Sequence, residues 1–343
     1  MRGLQAQVRI LIVTQMWPSA ADPDFGAFLV PQVEALREQG HEVEVVAIDR
    51  RGGSPLKHGR LTLQAVRAAR RFRPDAVLAH MLFPAGFAGL AAARAARAPL
   101  VVMAHGQDVA NCERPALRAA TRFVVSRAAA VVANSRWLER RLQRHLPDVT
   151  AEIIDLGVDM ARFDGAPERA VEWPGPRPRL LCVGSLLPRK NVVPLADAFA
   201  RLGAGSLVFV GDGPQRAELE GRPGVTVVGR VPHDEVPAWV AACDVLCQPS
   251  EQEPFGLAAL EAMAAGRSVV ATTEGGPPEF VPPEAGVLVK PGDPDALLDA
   301  LRRAIALPSP NPAARAAAAE HDVRRQARRM AEVLRRAAEE RPA

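Results

Sequence analysis

Short apolar runs alternate with longer amphipathic stretches along the 343-residue chain, the first of them at 8–14, 43–48, 76–79, 100–104, 130–133 and 152–155. Each run is too short for a helix and rich enough in Val, Ile and Leu for a strand buried in a parallel sheet. Between them, residues 28–39, 61–72 and 115–127 carry apolar positions at helical spacing. Strand and helix in alternation predict a doubly wound α/β fold. The pattern breaks at 164–178, where prolines and glycines fall without periodicity, and resumes at 180–183, 207–210, 225–228, 245–248, 268–271 and 287–289. A linker and a second doubly wound sheet are expected there. Helical patterns at 297–306, 313–319 and 321–337 close the chain. The predicted domains are residues 1–165, joined by a C-terminal helix at about 321–343, and residues 176–320.

Ligands of doubly wound folds bind beyond the carboxyl ends of the strands, so polar residues just after strands are the first candidates. The strand at 245–248 leads into a helix starting near Phe255, with Glu253 in the loop and Glu261 farther along the helix. Gly256 at the helix start lets free N–H groups approach a ligand, and the positive helix end favours phosphate or sugar oxygens. Two carboxylates beside such a terminus fit vicinal hydroxyls, since an ionised carboxylate accepts two hydrogen bonds at once. The alternative is a pair of solvated helix-face residues.

The run from Glu253 to Glu261 resembles the Glu-x7-Glu motif of the family 4 retaining nucleotide-sugar glycosyltransferases. The resemblance implies the GT-B fold, two Rossmann-like domains facing each other across a cleft. It also implies transfer of a sugar from a nucleoside-diphosphate donor to an acceptor hydroxyl, with retention at the anomeric carbon. By it, Glu253 contacts the transferred sugar, Glu261 binds the ribose, and the backbone at Phe255, Gly256 and Leu257 holds sugar hydroxyls and phosphate. The segment from Val183 to Asn191 is similar to the family's strand, turn and Pro-x-Lys sequence, which makes Lys190 the point charge for the diphosphate. Where the family often has Arg directly after the strand glycine, this chain has Ser185, so leaving-group stabilisation would rest on Lys190, the Ser185 hydroxyl and helix N-termini.

Other matches follow in family order. Arg230 resembles the segment that meets the nucleobase, a structural turn being its alternative; Gly275, Gly276 and Glu279 resemble a Gly-Gly-x-x-Glu loop. His105, Gly106, Gln107 and Asp108 resemble the family's His-Gly-x-Asp, which would turn His105 to the donor sugar and leave Asp108 as an acceptor contact or a structural cap. Gly26, after the first strand, falls where the family approaches the phosphates. The implied catalytic set is His105, Lys190 and Glu253. Neither a cofactor nor a metal is expected, only a nucleotide-sugar co-substrate and a lipid-linked, glycan or small-molecule acceptor.

The charge is uneven. Residues 1–165 hold 22 Lys and Arg against 16 Asp and Glu, a net +6, while the remainder nets −2 within a total of +4. Eight of the basic residues crowd between Arg50 and Arg73. Such a half suggests nucleic acid, an anionic membrane surface, a phosphate-bearing acceptor or a plain solvated face; no nucleic-acid motif supports the first. Four cysteines in a chain of this length form no disulfide framework or zinc spacing, and no apolar run approaches the roughly 20 residues of a membrane span. Neither does an h-region follow residues 1–7, so a reduced cytoplasmic protein is expected, with peripheral association at the inner membrane face as an extension. A nicotinamide oxidoreductase is disfavoured because no Gly-x-Gly-x-x-Gly follows the first strand. Two rivals stay open: a non-hydrolysing nucleotide-sugar epimerase, and a catalytically idle nucleotide-sugar or glycan-binding protein.

Overall fold

The computed structural model describes residues 7–164 and 170–340. Residue 165, where the first predicted domain ends, most of the early part of the predicted linker (165–169) and the last three residues of the predicted C-terminal helix lie outside the described residues. The chain forms two compact units, Met1–Gly157 with Val323–Ala343, and Val158–Asp322.

In the first unit six parallel strands, β1 (Arg9–Thr14), β2 (Glu42–Ala47), β3 (Ala76–His80), β4 (Leu100–Ala104), β5 (Ala130–Ala133) and β6 (Glu152–Ile153), stand in the order β2-β1-β3-β4-β5-β6. The central strands β3 and β4 are buried along their whole length, as their unbroken apolar runs require. Edge strand β2 alternates Glu42, Val43, Glu44 and Val45, which keeps charge on an edge open to pairing. The helix Leu56–Phe72 begins five residues before the predicted 61, because its first turn exposes Leu56 and Gly59 and half-buries Lys57 and His58, which hides the apolar period. It packs on the helix Ala85–Ala96, whose Ala and Gly residues fit between it and the sheet. The closing helix Val323–Glu339 returns to this unit and lies against the helix Leu29–Glu38. There Gln39 Nε2 donates to the Arg324 carbonyl (2.9 Å), and Arg336 pairs with Glu152 at 2.6 Å.

In the second unit β7 (Arg179–Val183), β8 (Ser206–Val210), β9 (Val225–Gly229), β10 (Val245–Gln248), β11 (Ser268–Thr272) and β12 (Gly286–Val289) form a parallel sheet in the order β12-β11-β10-β7-β8-β9. Counted from its own first strand, this is the Rossmann order 3-2-1-4-5-6 read from the far edge. The direction of winding reverses between β7 and β10, which pair through Val245 with Leu180 and Leu246 with Leu181. Outside the carboxyl ends of those two strands is where such a sheet binds its ligand.

Candidate functional site

Both loops at that reversal point carry predicted site residues. After β7 the chain passes Gly184 and Ser185, makes a single 3-10 turn at Pro188–Lys190 and enters the helix Val192–Leu202. The loop after β10 is tied to it twice: Asn191 Nδ2 donates to the Pro249 carbonyl (2.8 Å), and the Glu251 amide donates to the Arg189 carbonyl (2.8 Å). Lys190 and Glu253 consequently meet, the Lys190 ammonium forming an ion pair with Glu253 Oε2. Two further donors reach that same oxygen, Gln248 Nε2 at 3.1 Å and Ser250 Oγ at 3.2 Å. Glu253 and Gln248 are buried, so these contacts stand in a low dielectric and are stronger than on the surface.

The backbone of Glu253 is held as firmly as its side chain. Its amide donates to the Glu274 carbonyl (2.9 Å), and its carbonyl accepts from the Gly276 amide (2.9 Å). Gly275 stands opposite in an isolated bridge with φ +147°, where a Cβ would come within 1.9 Å of the Glu253 carbonyl oxygen. The Gly-Gly loop after β11 is thus a backbone brace for Glu253.

The helix Leu257–Ala264 starts from Gly256 at φ +102°, and no side chain caps its first amides. These are the donors that the sequence offers to anionic or electron-rich ligand atoms. The ring of Phe255 is buried against Phe280, 5.4 Å between centroids. Farther along the helix Glu261 is buried, and burial pushes its carboxyl up to about 7 against the opposing charge of Arg162. Arg162 is itself fixed by His233, through Nη1 to Nε2 (2.8 Å) and Nη2 to the carbonyl (3.1 Å). Ser185 and Arg230, at the ends of β7 and β9, are exposed.

In the first unit the predicted residues lie beyond β1 and β4. Asp108 is buried with both oxygens engaged: Oδ2 accepts from the Leu82 amide (2.8 Å), and Oδ1 from the amides of His105 (3.1 Å), Gly106 (2.9 Å) and Val109 (3.1 Å). It clamps the loop after β3 to the loop after β4. Burial raises its carboxyl pKa, opposed by those four amides. His105 Nε2 lies 2.9 Å from Nδ1 of the fully buried His80, and Phe28 packs on the His105 ring at 5.5 Å between centroids. Burial lowers His105 to about 3, and lowers His80 well below the usual value with help from His105, so both rings are neutral. Gly26 has φ +72°, and a Cβ there would lie 2.7 Å from the Met16 carbonyl carbon and oxygen, so the backbone itself demands glycine.

Sequence reasoning missed His80, Gln248, Ser250 and Arg162 as parts of these constellations. The carboxyl ends of β3 and β10 mark His80 and Gln248 as strand-end polar residues, but their partners become visible only in three dimensions. Among the described residues no group of three or more His, Cys, Asp or Glu side chains could hold a metal ion, and no helix is long and apolar enough to cross a membrane.

Residues 28–162 match the family described as Glycosyltransferase Family 4, and residues 177–306 the family described as Glycosyl transferases group 1. A GDP-mannose-dependent alpha-mannosyltransferase of Mycobacterium tuberculosis (strain CDC 1551 / Oshkosh) is 31% identical over 310 residues, covering 77% of this chain and 79% of that protein. The 2-deoxystreptamine glucosyltransferase of Streptomyces kanamyceticus is 31% identical over 280 residues, covering 72% of each. Among solved structures, Anabaena HepE in complex with UDP and glucose superposes with a TM-score of 0.73 at 22% identity, over 96% of this chain and 100% of that one. The shared architecture is the GT-B fold of two six-stranded parallel sheets.

Proposed function

This chain belongs to glycosyltransferase family 4, and we propose that it moves a sugar from a nucleoside diphosphate to an acceptor hydroxyl with retention at the anomeric carbon. The observation that carries this reading is the meeting of Lys190 and Glu253 at the reversal point of the second sheet, beside the free amides of the helix Leu257–Ala264. In the reaction the bond from the anomeric carbon to the diphosphate oxygen breaks, and a bond to the acceptor oxygen forms. The acceptor proton passes to the departing phosphate oxygen on the same face. Lys190, the helix N-terminus and the Ser185 hydroxyl offset the charge that develops on the leaving diphosphate, the task a divalent metal performs elsewhere.

The remaining roles in this proposal are those that the family resemblance implies. Glu253 accepts hydrogen bonds from hydroxyls of the transferred sugar, and Glu261 from the ribose diol. The amides of Phe255, Gly256 and Leu257 meet sugar hydroxyls and phosphate, and Arg230 lies by the base. On the same reading His105 is assigned to the sugar and Gly26 to the phosphates. Asp108 serves by holding the His105 loop. The relatives' names support a hexose donor while pointing to different bases: GDP-mannose in the mycobacterial enzyme, UDP in HepE. The acceptor is a lipid-linked, glycan or small-molecule hydroxyl, and the basic first unit favours work at an anionic membrane surface.

A thermal-shift screen with GDP-, UDP-, ADP- and dTDP-sugars identifies the donor, since a ligand at 100 times its Kd adds about 2.7 kcal/mol. Transfer from that donor is then followed by NMR of the anomeric proton in the presence of EDTA. Lys190→Ala should lower kcat by a factor of about 10² or more, the effect of deleting one preorganised charge donor. Full turnover by that variant would remove Lys190 from the chemistry. An altered nucleotide sugar released without acceptor would instead identify an epimerase.

A further inference from the structure

Three donors converge on one oxygen of Glu253. Lys190, Gln248 Nε2 and Ser250 Oγ all reach Oε2, while no described side chain donates to Oε1. The Gln248 amide can stand only one way round, because the reverse would set its carbonyl against the carboxylate. Its own Oε1 is buried without a hydrogen-bond partner. Two of the three donors are therefore neutral and fixed by burial at the end of β10, and the third is a charge on a flexible stem.

The difference matters when a diphosphate arrives. The ammonium of Lys190 is drawn to the larger negative charge and leaves Glu253. A carboxylate held by that lysine alone would be left buried and unpaired, which is strongly unfavourable, or would swing after it. Gln248 and Ser250 remove both outcomes, since hydrogen bonds to an ionised oxygen persist after the cation has gone. We propose that Gln248 and Ser250 are positioning residues that hold Glu253 in place while Lys190 is handed from Glu253 to the donor's diphosphate, leaving Glu253 Oε1 to accept from the sugar hydroxyls. This rests on the roles given to Lys190 and Glu253 above and assigns the two residues that make those roles compatible.

The first test is a crystal structure with the nucleoside diphosphate of the best donor. Lys190 Nζ should lie on the diphosphate, with Glu253 Oε2 still within hydrogen-bond distance of Gln248 and Ser250; a Glu253 side chain that has rotated away, or a Lys190 still on Glu253, overturns the hand-over. The second test is kinetic. Gln248→Leu and Ser250→Ala should each lower kcat roughly 10-fold or more for want of a hydrogen bond to charge. Binding of the nucleoside diphosphate without its sugar should change less than about 2-fold, because Glu253 does not touch it. Ser250→Thr, which keeps the hydroxyl, should restore kcat. Gln248→Glu, equal in size but lacking the donor, should not; its tolerance would reduce Gln248 to packing. Full turnover by Lys190→Ala would sink the functional reading, whereas an inactive Lys190→Ala beside active Gln248→Leu and Ser250→Ala would sink only the hand-over.

Discussion

Glu261 titrates where physiological pH can move it, and the direction follows from its surroundings. Burial lifts its carboxyl to about 7 from an ordinary 4.5, with Arg162 opposing. Below 4.5 the group is neutral in both folded and unfolded chain. Between 4.5 and 7 the unfolded chain ionises while the folded one does not, so stability falls as pH rises, by about 3 kcal/mol once the folded carboxyl has also ionised. Urea unfolding of wild type against Glu261→Gln between pH 5 and pH 8 should show this decline in the wild type only; parallel curves would contradict it. In the ribose-binding role proposed for Glu261 the hydroxyls would donate to the ionised form, so donor affinity should strengthen with pH up to about 7 and level off above. Calorimetry on Glu261→Gln should give weaker, nearly pH-independent binding. The carboxylate itself was legible in the sequence as one half of an eight-residue spacing. Its burial and the Arg162 beside it were not, because Arg162 lies about a hundred positions away and only the fold brings its charge near.

At the scale of elements, the sequence reports strands better than the braces between their loops. Strands β3, β4 and β10 appear as short apolar runs because both faces of a parallel sheet are covered, and that burial is written in composition. The helix Ala85–Ala96 leaves no periodic trace, since alanine and glycine serve on its buried face and contribute little polarity contrast elsewhere. The brace between the loops after β10 and β11 is hidden in another way: Gly275 and Gly276 are legible as a family-like loop, but not as the carriers of the Glu253 backbone. Gly275→Ala should therefore be far costlier than Gly292→Ala. Both glycines have positive φ, which costs an alanine about 1–2 kcal/mol. Only at Gly275 does the new Cβ also run into backbone, 1.9 Å from the Glu253 carbonyl oxygen, whereas nothing lies within 4 Å of the one at Gly292. Differential scanning calorimetry of the two variants, with transfer assays alongside, separates conformational strain from the clash. Equal losses in Tm and activity would show that the brace yields.

At the scale of the molecule, the uneven charge acquires a place. On the helix Leu56–Phe72 the residues Leu61, Ala65, Ala68 and Ala69 face the core, while Leu56, Arg60, Leu63, Arg67 and Arg70 recur every three or four residues along the opposite side. That stripe is exposed, Leu56 at 73% and Leu63 at 51%, and Arg60, Arg67 and Arg70 have no ion pair among the described residues. By contrast Arg51 is spent on Asp24, and Arg71 on Glu44. Two exposed leucines between unpaired arginines suit the boundary of an anionic bilayer, where the apolar side chains enter the headgroup region and the guanidinium groups meet phosphate. Each arginine near such a surface contributes about 1 kcal/mol, so Arg60→Glu with Arg67→Glu should release the protein from vesicles containing phosphatidylglycerol, and wild-type binding should fall as salt rises. Leu56→Ala with Leu63→Ala should weaken binding with little change in salt dependence, because it removes buried apolar area and no charge. Cosedimentation with neutral and anionic vesicles distinguishes these cases. Wild-type protein that ignores lipid charge would return the stripe to the solvent, and the net +6 of residues 1–165 would then describe solubility and long-range steering rather than a docking face.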